Sequence, residues 1–152
     1  MFRAFLIKLI GKVVPLDRFA PKYPVSVKGI IVHQGKIVLL KNDREEWELP
    51  GGKLDPGEQP HLCVAREIQE ELRLEVTVAE LVDVWVYDIQ GKVKVFMVAF
   101  WCVLQESSLP HLEISHEHKE VGWFTPDELP DIPLPTGYQI AIKKGLARFT
   151  SP

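Results

Sequence analysis

The chain has 152 residues, 46% of them hydrophobic and 26% charged, with a formal net charge of -3, which is the balance of one soluble globular domain large enough to bury a core. A weakly acidic chain has no bulk attraction for nucleic acid, so no DNA partner is expected, and any nucleotide would need a cation supplied locally. Cys63 and Cys102 are too few for a disulfide scaffold and lack zinc-ligand spacing, and no apolar run reaches the roughly 18 residues of a membrane span, so the expected setting is the cytoplasm.

Residues 1–24 read as an amphipathic helix followed by a connector. Phe2, Phe5, Leu6, Leu9 and Val13 recur at helical spacing, while Arg3, Lys8 and Lys12 interrupt the stripe and Pro15, Pro21 and Pro24 end it. The broken apolar run and the lack of a small-residue cleavage site argue against a signal peptide. The expectation is a helix packed on its own domain or on a second copy as a homodimer, with a helix lying on a membrane surface as the lesser alternative.

Residues 25–150 form the second unit. Val25–His33 and Lys36–Lys41 are β-branched and flank Gln34-Gly35, which predicts a hairpin. A polar loop, Lys41–Glu46, leads to Trp47-Glu48-Leu49-Pro50 and then to Gly51-Gly52, where the backbone can approach closely and expose a carbonyl. Asp55-Pro56-Gly57 turns the chain into a helix predicted over Gln59–Leu72, with Leu62, Ala65, Ile68 and Leu72 as its apolar stripe. On the same wheel Glu67, Glu70 and Glu71 fall within an arc of about 100° on the side away from that stripe.

Three like charges on one helix are tolerated as a solvated face at a cost of tenths of a kcal/mol each. The functional alternative is a hard divalent cation, because Mg²⁺ prefers carboxylate oxygens and bridges to substrate phosphates. Arg66, four residues before Glu70 and next to Glu67, could hold a carboxylate in orientation through paired hydrogen bonds.

After the helix, Glu75–Asp88 and Lys92–Gln105 predict two long paired strands around Gln90-Gly91. Trp85, Tyr87 and Trp101 are candidates to stack on a base, although aromatics in strands more often fill a core. The polar stretch Glu106–Ser115 is a candidate lid or specificity loop. A strand over Glu117–Phe124 follows, then a short helix announced by Thr125-Pro126-Asp127-Glu128. Thr136 and Gln139 repeat the capping spacing before a closing helix built on Tyr138, Ala141, Ile142, Leu146 and Phe149. Strands on both sides of a central helix, with a second helix at the end, predict an α/β fold with a mixed sheet between helical layers.

Gly52, Glu58, Arg66, Glu67, Ile68, Glu70, Glu71 and Leu74 stand at the spacing of the Nudix box, and the chain resembles the Nudix hydrolase family, MutT-like members included. The one departure is Arg73, where the box has glycine; a side chain there costs roughly 1 to 2 kcal/mol if the helix closes in the left-handed conformation. The resemblance implies an α/β/α sandwich and Mg²⁺-dependent, or Mn²⁺-dependent, hydrolysis of a diphosphate linkage in a nucleoside diphosphate bonded to another group.

It implies metal or base roles for the box glutamates: Glu67, Glu70 and Glu71 as ligands with the Gly51 carbonyl. The general base would come from Glu67, or from Glu117 or Glu120 outside the box, while Glu58 would cap the helix or steady a ligand indirectly. The substrate would be a small nucleotide of a kind the box does not specify, whether a nucleoside triphosphate, an ADP-sugar, a dinucleoside polyphosphate or a capped RNA end. The alternative is a catalytically silent module that keeps the fold and binds or senses a nucleotide.

Overall fold

The computed structural model describes residues 20, 22–105, 112 and 118–150. The amino-terminal helix, most of the Glu106–Ser115 loop, His116 and Glu117 lie outside these residues. The elements are β1 (Val25–His33), β2 (Lys36–Lys41), β3 (Trp47–Glu48), α1 (Pro60–Leu72), β4 (Val76–Ile89), β5 (Val93–Leu104), β6 (Glu120–Phe124), a 3₁₀ helix (Pro126–Asp131) and α2 (Thr136–Phe149). Among the described residues no helix is long and apolar enough to cross a membrane.

The sheet runs β3-β2-β1-β5-β4, with β6 on β2. It is mixed: β1 and β5 are parallel, and the other pairings are antiparallel. Both hairpins form where Gln-Gly pairs allow them, since Gln34, Gly35, Gln90 and Gly91 all take the positive φ that a tight two-residue turn requires. β1 is buried over most of its length and β4 alternates, as expected for a central and an edge strand.

Two cores lie on opposite faces of the sheet. Ile30, Leu39, Met97 and Trp101 pack with Tyr138 and Ile142 of α2, while Val27, Ile31, Val38 and Cys102 pack with Val64, Ile68 and Leu72 of α1. Each fully buried aliphatic of this kind contributes roughly 1.5 to 3 kcal/mol, so the two layers hold the helices firmly.

β1 and β2 pair only at Val32–Ile37 and His33–Lys36, next to their turn, and then part. The gap is filled by the segment after β3: Val27 N–H bonds to the Gly52 carbonyl, Gly29 N–H to that of Pro50, and Leu54 N–H to that of Val25, all at 2.8–2.9 Å. The glycine turn is thereby stitched to the centre of the sheet.

Three local expectations are corrected. Leu62 is 57% exposed, and Cys63 and Val64 take the buried positions, so α1 is rotated by about one residue from its apolar stripe. The rotation turns Glu71 inward. The Thr136–Gln139 box does not form: Pro135 caps α2 without a side-chain bond, and Gln139 Nε2 donates instead to the Leu134 carbonyl at 2.7 Å. At Thr125 both halves of the box are present.

Candidate active site

The stacking of Cys63, Glu67 and Glu71 in one i, i+4 row aims two carboxylates at the glycine turn. Gly51 has a φ of +130°, and a Cβ there would meet the Val27 carbonyl at 2.1 Å, so only glycine fits. Its N–H donates to Glu71 Oε2 at 2.8 Å. Its carbonyl accepts from Lys28 Nζ at 3.0 Å.

Arg66 gathers the remaining acids. Nε and Nη2 form a two-pronged pair with Glu58 at 2.8 and 2.9 Å, and Nη1 reaches Glu67 at 2.9 Å and Glu70 at 3.2 Å. The Arg66 hydrogen bonds hold the Glu58 carboxyl down to about 2. Glu58 therefore fixes the guanidinium, and the guanidinium orients Glu67 and Glu70.

Glu71 is in the opposite situation. Burial is the largest influence and pushes its carboxyl up to about 7, against the opposing pull of Lys28 and the Gly51 N–H. Glu48 is partly buried, which alone would raise it, but Lys28 and His118 beside it bring it down to about 2. Lys28 Nζ lies 3.5 Å from Glu48, and the Tyr138 hydroxyl donates to the same carboxylate at 3.3 Å. His118 Nε2 stands 3.4 Å from Glu48 and 3.7 Å from Glu71; burial lowers its pKa, and these two carboxylates more than reverse that.

These groups line two adjoining cavities. An acidic groove of about 440 Å³ holds Glu67, Glu70, Glu71, Gly51, Gly52 and His118. A second cavity of about 270 Å³ is walled by Tyr87, Ile89, Val95 and Met97, with Lys28 and Tyr138. Arg44, Glu48 and Lys53 line both, so the two adjoin there.

Among the described residues no three His, Cys, Asp or Glu side chains close around a single point. Glu67 and Glu70 lean on Arg66, and Glu71 on Gly51. In chemistry the donors nonetheless suit a hard cation: all are oxygens, and a buried carboxyl pushed to about 7 gains most from a positive charge at its door.

The structure brings Gly51, Glu67, Glu70 and Glu71 to one groove, with Arg66 behind two of them. Glu117 lies outside the described residues. Glu120 does not line the groove; it pairs with Lys41 at 3.0 Å and its side chain is 57% exposed. Tyr87 lines the second cavity, and its hydroxyl donates to Glu46 at 3.1 Å.

Trp85 lines neither cavity. It packs edge-on against Tyr138 and fills the space above Gly137 of α2. Trp101 stacks on Phe149 in the same core.

Lys28, Arg44, Glu48 and His118 were not among the site residues expected from the sequence. Lys28 carried a signal, a lone cation inside the apolar run VSVKGIIVH.

A family model described as NUDIX domain matches residues 22–148. A MutT-like protein of Streptomyces ambofaciens is 36% identical over 111 residues, covering 72% of this chain and 68% of that protein. The CTP pyrophosphohydrolase of Escherichia coli (strain K12) is 31% identical over 113 residues, covering 71% of this chain and 80% of the relative. Among solved structures, a MutT NUDIX hydrolase from Burkholderia pseudomallei superposes with a TM-score of 0.67 at 32% identity, covering 82% of this chain and 98% of that one.

Proposed function

The chain belongs to the NUDIX family of hydrolases, and from that premise we propose that it cleaves a diphosphate linkage in a small nucleotide with the help of Mg²⁺, which Mn²⁺ could replace. The observation that carries this reading is the acidic groove, which Glu67, Glu70 and Glu71 line together with the Gly51-Gly52 turn. Glu67, Glu71, Glu70 and the Gly51 carbonyl would hold the metal, which when bound neutralises phosphate oxygens and makes water a better nucleophile. Arg66 keeps Glu67 and Glu70 in place between turnovers.

Arg44 and Lys53, shared by both cavities, bind the diphosphate where the second cavity adjoins the groove. The apolar walls beyond them exclude water from the nucleoside end. Of the candidate bases among the described residues, Glu67 lines the groove and is the one assigned the proton of the attacking water, while Glu120 pairs with Lys41 outside it. A reducing compartment such as the cytoplasm would suit the two free cysteines, Cys63 and Cys102.

The test is release of phosphate or pyrophosphate from a nucleotide panel with and without Mg²⁺. Turnover on at least one nucleotide, abolished by chelation, is expected. Nucleotide binding without turnover at any Mg²⁺ concentration would instead identify a silent module.

A further inference from the structure

β5 lies between β1 and β4, yet its two faces are covered unequally. Met97, Ala99 and Trp101 are buried in the core with α2, whereas Phe96, Val98 and Phe100, which point the other way, are only half-buried. On that second face α1 packs over Val27, Ile31 and Cys102, and the core reaches Val76 and Val78 at the start of β4. Past the irregularity that follows Val78, the strand carries Leu81, Val84 and Val86, each 45–48% exposed and, among the described residues, part of neither core.

The register sets Leu81, Val84 and Val86 opposite Phe100, Val98 and Phe96. Cross-strand partners share a face, so these side chains form one apolar patch, about 13 Å long from Phe96 to Phe100. A strand with one wet face alternates apolar and polar residues. Val84, Trp85 and Val86 are instead apolar without interruption, the pattern of a strand covered on both sides.

The chain enters the domain at the corner of this patch. The Pro24 carbonyl accepts the Phe96 N–H at 2.9 Å, and Val25 pairs with Phe96. Ahead of that point, outside the described residues, the sequence holds Phe2, Phe5, Leu6, Leu9 and Val13 at helical spacing. As a helix this stripe is about 17 Å long, close to the length of the patch. Residues 14–23, between stripe and strand, can extend roughly 30 Å, which is ample for the stripe to fold back over it.

We propose that residues 1–13 dock as a helix on this face, setting their apolar stripe against Leu81, Val84, Val86 and Phe96 and completing the layer that α1 leaves open. The tether selects the occupant: a segment fixed at the corner of the patch meets it at an effective concentration of about millimolar, above that of any second copy.

Cross-linking in the full chain tests this. Cys63 and Cys102 are buried and their thiols are pushed up to about 12 by that burial, so introduced cysteines react alone. A short bismaleimide should join Leu9→Cys to Val84→Cys within one chain at least about tenfold faster than it joins Leu9→Cys to Ile140→Cys, a similarly exposed position on α2. Equal rates, or a faster reaction with Ile140→Cys, would overturn the proposal. So would a main product of twice the chain's mass, which would assign the face to a second copy. Sedimentation of the full chain with phosphatidylserine vesicles, with no Leu9–Val84 product in their absence, would assign the stripe to a membrane instead.

Trypsin gives an independent reading, because Lys8 and Lys12 are among its sites. Val84→Asp, a change at an exposed position, should speed cleavage at these two lysines about tenfold and leave the circular-dichroism spectrum unaltered. An unchanged cleavage rate in that folded variant would overturn the docking.

Discussion

A Cβ placed on Gly52 would lie 2.4 Å from the carboxyl carbon of Glu67. The glycine thus makes room for one acid of the box rather than for a turn, since its φ is not in the left-handed region. Gly52→Ala leaves the backbone free to fold and pushes the carboxylate aside. We expect kcat/KM to fall on the order of 100-fold, with stability changed by less than about 1 kcal/mol, as steady-state kinetics and urea unfolding would show. Gly51→Ala should differ in kind, losing roughly 2 to 4 kcal/mol because its Cβ would strike the Val27 carbonyl.

Glu71→Gln keeps an acceptor for the Gly51 N–H and removes a buried charge. Turnover should drop on the order of 10²- to 10⁴-fold, while unfolding at pH 8 shows stability equal to or above that of the unaltered chain. A variant that unfolds more readily and turns over normally would reverse the assignment.

The raised Glu71 carboxyl also sets a pH dependence. Between its ordinary value of 4.5 and about 7 the unfolded chain loses this proton while the folded chain keeps it, so stability falls as pH rises through that window. Its size is on the order of 3 kcal/mol. His118, raised by its two carboxylate neighbours, adds stability that is likewise lost as pH rises past its folded value. A thermal scan series from pH 5 to pH 8, in chelator, should show the decline in the parent and a shallower one in Glu71→Gln. Added Mg²⁺ should stabilise more at the upper end, where no proton need leave.

Arg66→Lys tests the orienting role. One ammonium cannot form the two-pronged pair with Glu58 and also reach Glu67 and Glu70. The Mg²⁺ concentration for half-maximal rate should rise about tenfold or more, with kcat partly restored at saturating metal. An unchanged metal dependence would show that Arg66 does not position the ligands.

Arg73 closes α1 in the left-handed region, with φ 57° and ψ 26°, and its N–H bonds to the Gln69 carbonyl. The steric cost noted for a side chain at this place is therefore accepted. Arg73→Gly should raise stability by about 1 kcal/mol and leave kcat unaltered, as chemical denaturation beside an activity assay would check.

The elements that could be read in advance were those set by local chemistry. Gln34-Gly35 and Gln90-Gly91 marked their turns, Thr125 and Glu128 their cap, and the spacing of Glu67, Glu70 and Glu71 put three acids on one helix. The two-residue strand β3 was missed because it exists only where β2 offers Leu40 and Lys41 as partners. Trp85 was a candidate to stack on a base; α2, some fifty residues later, packs Tyr138 and Gly137 against it instead.

By itself, then, the order of residues determined which acids share α1, where glycine must stand, and that the site would be one of oxygen donors. Only the folded arrangement decided that Glu71 turns inward and that Lys28, Glu48 and His118 meet behind it. Periodicity along an element reports neighbours three or four residues away on a helix and two away on a strand. It is silent on residues from β1, β3 and the approach to β6, which are brought together because β1 and β2 separate and the glycine turn fills the opening.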